Sequence, residues 1–136
     1  MLTLSASGEH GRVWYAACAA GALLDPGRRS SYARSAGVVL GAFLANQSVK
    51  LVIRRRRPRL EGLPPLTPTW SDRSYPSAHA CTSFAAARAL SPLLPAAPLY
   101  ALAAAMALSR PYLGVHYVSD TLAGAALGTA VAELAR

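Results

Sequence analysis

The chain has 136 residues, of which 53% are hydrophobic and only 15% charged, with a mean hydropathy of +0.27 and a formal net charge of +8. One ordinary domain has this length, and soluble domains carry roughly 25% charged residues, so the composition argues against a soluble fold and for a single membrane-embedded domain over residues 1–136. Nucleic-acid binding is a second explanation of the excess charge. Much of that charge, however, sits in one run, RRRRPR at 54–59, flanked by apolar sequence, and a basic membrane protein accounts for both facts without nucleic acid.

The N-terminal MLTLSASGEHGR lacks the basic and then apolar regions of a cleavable signal, so the chain's own helices are expected to target it to the cell membrane. His10 has no partner motif and reads as a surface or interfacial residue. A first apolar run, VWYAACAAGALL at 13–24, predicts a short helix with Trp14 and Tyr15 as interfacial aromatics. Cys18 lies 63 positions from Cys81 with no CxxC spacing, and both read as buried small side chains. After the break DPGRRS, the run 35–53 approaches the 20 or so apolar residues that a spanning helix needs. Lys50 and Arg57 close it, seven positions and two helical turns apart, which predicts one shared helix face before Pro58 stops the helix. The remaining arginines, Arg54, Arg55, Arg56 and Arg59, read as headgroup contacts.

A long loop, PRLEGLPPLTPTWSDRSYP at 58–76, follows, and Trp70 and Arg73 within it are candidates to cover a site. The third run, 78–91, opens at Ser77 to His79 and carries Arg88 toward its far end. The fourth, AAPLYALAAAMALS at 96–109, has no polar face of the kind a soluble bundle shows. RPYLG breaks the chain again and places Tyr112 as another interfacial aromatic. The fifth run, 116–135, is the second one long enough to span, and its Gly124 and Gly128 form a small-xxx-small pair that lets another helix approach. The expected fold is therefore an all-α, multi-pass transmembrane bundle of about five spanning helices.

Antiparallel crossing has a chemical consequence. The end of helix two, the start of helix three, the end of helix four and the start of helix five all fall on one membrane face. Lys50, Arg57, Ser77, His79, Arg110, His116 and Asp120 are thereby expected to meet there. Polar groups at membrane depth are costly, which makes the gathering a functional-site hypothesis. His116 and Asp120 are four apart, so the carboxylate can hold one imidazole nitrogen while the other faces the site as nucleophile or base. Three fixed cations and the start of a helix suit a tetrahedral oxyanion such as phosphate.

In KLVIRRRRP (Lys50 to Pro58), PSAH (Pro76 to His79) and SRPYLGVHYVSD (Ser109 to Asp120), the chain resembles the type 2 phosphatidic acid phosphatase superfamily, membrane lipid phosphatases related to vanadium haloperoxidases. That family's motifs read KxxxxxxRP, PSGH and SRxxxxxHxxxD, and Ala78 in place of Gly is the one departure. The resemblance covers about residues 35–130. It implies that His116 is a nucleophile forming a phosphohistidine, that Asp120 orients it and that His79 protonates the leaving oxygen. Lys50, Arg57, Arg110, Ser77 and the backbone N–H groups of Ala78 and His79 would hold the phosphoryl oxygens. No metal or other cofactor is implied; the partner is a membrane lipid phosphate.

The Ala- and Arg-rich composition, PSAHA and EGLPPLTPT look similar to short actinobacterial members of the family acting on decaprenyl-phosphoryl phosphoribose. Polyprenyl diphosphates, phosphatidic acid and phosphatidylglycerol phosphate are the alternative substrates. A basic, non-enzymatic membrane anchor is the alternative of another class.

Overall fold

The structure, a computed structural model, describes residues 11–58, 65–69 and 71–136; His10, Arg59 and Trp70, one of the two residues expected to cover the site, lie outside the described residues. Among the described residues five α-helices follow one another: α1 (Arg12–Leu24), α2 (Arg29–Val52), α3 (Ala78–Leu90), α4 (Ala96–Tyr112) and α5 (Val118–Leu134). A 3₁₀ turn, Pro26–Arg28, joins α1 to α2. The expected five helices are all present, each delimited by the Pro, Gly or polar break that its flanks carry.

Local chemistry sets those boundaries. Gly11, at φ 76°, takes the left-handed conformation ahead of α1. Ser77 caps α3 by accepting from the Ala80 N–H at 3.5 Å. Pro95 precedes α4, whose Pro111 falls in the last turn. Asp120 accepts the Tyr117 N–H at 3.0 Å and thereby closes the first turn of α5, where a negative charge also suits the helix dipole.

The helix α3 is central and packs against α2, α4 and α5. Its side chains Ala80, Cys81, Ala85, Ala86 and Ala87 are fully buried, so the neighbouring backbones come close. Closest of all is α5: a Cβ at Gly124 would collide with the Ser77 carbonyl, and one at Gly128 with the Cys81 carbonyl. The small-xxx-small pair is thus the seam between α3 and α5. Cys18 and Cys81 are both free and buried, as expected.

Trp14 is not interfacial. It is 1% exposed, within the core formed with Tyr32, Val39 and Leu90, and its indole N–H donates to Ser83 Oγ at 3.0 Å. The hydroxyl supplied by α3 removes the reason for this ring to seek water. Tyr112, 66% exposed, does stand at the periphery.

Among the described residues, one helical stretch, Pro26–Val52, is long and apolar enough to cross a membrane, and Arg12–Leu24 is a shorter apolar one. The fifth run forms a helix of 17 residues, shorter than the sequence pattern promised. Leu40, Leu44, Leu108 and Leu122 are each at least half exposed on the outside of the bundle.

Candidate active site

The cationic side of the site is built where α2 ends. The helix stops at Val52, so Lys50 and Arg57 do not share a helix face. Continuing the helix would stack like charges at i, i+4 (Lys50 and Arg54) and i, i+3 (Arg54 and Arg57), and Pro58 disfavours the helical conformation at Arg57. The chain instead forms an extended strap, residues 53–58, laid against residues 71–74. Arg57 N donates to Asp72 O at 3.2 Å, Ser74 N to Arg55 O at 2.8 Å, and Arg56 and Arg73 form a β-bridge. The Ser74 hydroxyl, fully buried, lies 3.3 Å from Arg55 O and 3.0 Å from Arg56 O. Arg73 turns its guanidinium to the Lys50 carbonyl at 3.4 Å.

An extended segment sends alternate side chains to opposite sides, and this places both Arg55 and Arg57 inward. Arg57 Nη1 donates to Val115 O at 2.7 Å and stands 3.2 Å from His116 Nε2, while its Nε donates to Ser71 O at 2.8 Å. Lys50 is buried, with Nζ donating to Arg73 O at 3.1 Å. Arg110, in the last turn of α4, is 5% exposed. Lys50 and Arg110 both lie within electrostatic reach of His116. The strap therefore restores by folding what the helical reading had assigned to periodicity.

His116 follows a turn that needs Gly114 at φ 71°. The flanking Leu113 and Val115 are buried plugs that fix its position. Its Nδ1 faces Asp120 Oδ2 at 3.5 Å, a long contact that acts on the ring chiefly as a charge, and its Nε2 faces Arg57. Burial lowers the imidazole pKa to about 4; the Asp120 contact pulls it upward without prevailing, and the charges of Arg57, Lys50 and Arg110 push it lower. At neutral pH the ring is uncharged. A proton on Nδ1 toward Asp120 leaves the Nε2 lone pair for the site. Burial also depresses Arg57, against the pull of Asp120 and Asp72, yet a guanidinium stays charged.

Asp120 is fully buried. Its main-chain carbonyl accepts the Ser77 N–H at 2.9 Å, which joins the start of α5 to the start of α3 and brings His79, in the first turn of α3, to the same end of the bundle. Ser77 itself is fully buried as the cap, and Ala78 opens the helix. Asn46 Nδ2 donates to Pro76 O at 3.2 Å and steadies this turn from α2.

One residue here escaped the sequence reading. Arg55, taken for a headgroup contact, donates from Nη1 to Asp120 Oδ1 at 2.9 Å and to Ser119 Oγ at 2.8 Å, with its guanidinium 4.0 Å from the Tyr117 ring centroid. Its position two residues before Arg57 in an extended segment is the one signal that could have found it. Arg88 does lie at the opposite end, paired with Glu133. Among the described residues, no three His, Cys, Asp or Glu side chains come together as metal ligands would.

A helical bundle presenting cations around a buried His–Asp pair is built for an anionic group, and the sequence profile of the PAP2 superfamily matches residues 31–136. The chain belongs to that superfamily and is a phosphoric ester hydrolase. It is 44% identical over 126 residues to a decaprenylphosphoryl-5-phosphoribose phosphatase of Mycolicibacterium smegmatis, covering 89% of this chain and 67% of that protein. With the protein of the same name from Mycobacterium tuberculosis it shares 39% identity over 138 residues, 96% of this chain and 74% of that one. Among solved structures, the first transmembrane PAP2 type phosphatidylglycerolphosphate phosphatase from Bacillus subtilis is similar, with a TM-score of 0.54 and 26% identity over 98% of this chain and 81% of that chain.

Proposed function

We propose that the chain is a multi-pass cell-membrane phosphatase, one domain over residues 1–136, that removes the terminal phosphate of a polyprenyl-linked phosphoribose such as decaprenyl-phosphoryl phosphoribose. The observation that carries this reading is the convergence of Lys50, Arg57 and Arg110 on an uncharged, buried His116. The likeness to the two mycobacterial phosphatases supports the choice of substrate. The exposed leucines around the bundle support burial in lipid, with about five helices spanning and the site at one lipid–water boundary.

In this mechanism the three cations take the phosphoryl oxygens, and Arg57 moves from His116 Nε2 onto the phosphate. The Nε2 lone pair attacks phosphorus, the P–O bond to the sugar breaks, and His79 gives its proton to the departing oxygen. Asp120 stabilises the charge that develops on the imidazole. Water, deprotonated by His79, then cleaves the P–N bond, releasing phosphate and regenerating His116. Ser77 and the N–H groups of Ala78 and His79 add donors at the positive end of α3. Phosphoryl transfer depends on positioning and charge stabilisation, which fixed cations supply without a metal.

Purified protein in detergent, given polyprenyl-linked phosphoribose, polyprenyl diphosphate, phosphatidic acid and phosphatidylglycerol phosphate in the presence of a chelator, tests all of this. The first substrate is expected to turn over fastest, and acid-labile phosphate is expected to be trapped on the wild type but not on His116→Ala. Activity that needs Mg²⁺, or that survives in His116→Ala, overturns the mechanism.

A further inference from the structure

The buried Asp120 carboxylate is claimed by more than His116. Oδ1 accepts Arg55 Nη1 at 2.9 Å and Oδ2 accepts the Tyr117 N–H at 3.0 Å, whereas His116 Nδ1 stands farther off, 3.5 Å from Oδ2. The imidazole is thus the third claimant on a charge whose two best hydrogen-bonding directions are already taken. Arg55 is held for this task from three sides. Its Nη1 also reaches Ser119 Oγ, its guanidinium lies over Tyr117, and its carbonyl is fixed by Ser74 N. A planar guanidinium can bond in its plane and stack on its face at once; a lysine ammonium cannot.

We infer that Arg55 is a positioning residue of this site, clamping Asp120 and setting how much of the carboxylate's charge reaches His116. The inference rests on the reading of His116 as nucleophile, and it assigns a role to an arginine at a variable position of the first motif. The charged and titratable groups around His116 are Asp120 from α5, Arg55 and Arg57 from the strap, Lys50 from α2 and Arg110 from α4, with His79 brought to the same end by α3. Arg55 makes a direct ion pair with Asp120, Nη1 to Oδ1 at 2.9 Å, so its removal returns that charge to the imidazole. The imidazolium is then better stabilised, and the ring protonates at higher pH.

The test compares Arg55→Met, Arg55→Lys and Ser119→Ala in detergent. His116 titration is followed by NMR of ring-labelled histidine, and kcat and KM are measured across pH. In Arg55→Met, the His116 titration and the acid limb of kcat/KM are expected to rise together by about 0.5–1 pH unit, the size of one charge removed at this range. A roughly tenfold fall in kcat with KM within about twofold is expected from lost alignment. Arg55→Lys keeps the limb in place and loses part of kcat. Ser119 is exposed, so Ser119→Ala disturbs no core and shifts the titration upward by a smaller amount; this variant carries the test if Arg55→Met does not fold. An unmoved His116 titration in the folded variants overturns the inference, as does a change confined to KM, which would make Arg55 a substrate contact. The NMR shift needs no turnover, so a shift without phosphatase activity defeats the proposed function alone, and activity without a shift defeats this inference alone.

Discussion

The two ends of the bundle are both rich in arginine, but they spend the charge differently. At the end remote from His116, Arg28 pairs with Asp25, and Arg88 and Arg136 share Glu133; Arg88 and Arg136 also line a cavity of about 190 Å³ with Arg34 and Ser35. At the His116 end, Lys50 and Arg57 donate to main-chain carbonyls of Arg73, Ser71 and Val115, and Asp120 is the one buried carboxylate among the described residues. A carbonyl holds a cation in place without neutralising it. Oriented, uncompensated charge next to an uncharged nucleophile marks the reactive end; at the remote end Arg28, Arg88 and Arg136 are matched by carboxylates, and Arg29 donates to the Ala22 carbonyl away from any such nucleophile.

The strongest way to break this comparison is His116→Ala, which is expected to lower phosphate release by about 10³-fold or more, measured against a chain shown to be folded by thermal melting in detergent. Next come the uncompensated cations: Arg57→Ala or Lys50→Ala should cost about 10²-fold in kcat/KM, with Arg57→Lys recovering only part because the forked donor geometry is lost. Gly128→Ala tests the seam that keeps the two ends in register. The added methyl meets the Cys81 carbonyl and should destabilise the fold by about 1–3 kcal/mol, read as a lower melting temperature, with kcat falling in the folded fraction.

A smaller effect concerns pH. His116 titrates near 4 in the folded chain and near 6.5 when unfolded, so the unfolded state binds more protons between those values. Stability is therefore expected to fall as pH drops from about 6.5 to about 4, and His116→Gln should flatten that part of the melting profile. The smallest effect sharpens the contrast from the other side: Arg88→Ala, which removes a partly exposed pair, should change stability by no more than about 1 kcal/mol and leave kcat/KM unaltered.

Much of this was legible beforehand because helix boundaries and motif spacing are local properties. The Pro and Gly breaks located the five described helices, the start of α3 was placed at Ser77 to His79, and the four-residue step from His116 to Asp120 put the pair in contact range. The misreadings of Arg57, Arg55 and Trp14 involve partners distant in sequence. Arg57 was placed on a helix because periodicity says nothing of Ser74, whose hydroxyl and N–H hold the strap open in extended form. Arg55 was indistinguishable from its neighbours in a run of identical side chains, since its partner lies 65 positions away. Trp14 looked interfacial because a sequence does not reveal that Ser83 waits on α3 to receive its N–H.

The strap has one more consequence. Arg55 and Arg57 hang from a single short ribbon, so a displacement of that ribbon would loosen the grip on Asp120 and shift the guanidinium beside Nε2 in one movement. The readiness of the nucleophile and the capture of its target are mechanically geared to each other through a few main-chain hydrogen bonds, and an uncharged serine, Ser74, is the pin on which that gearing turns.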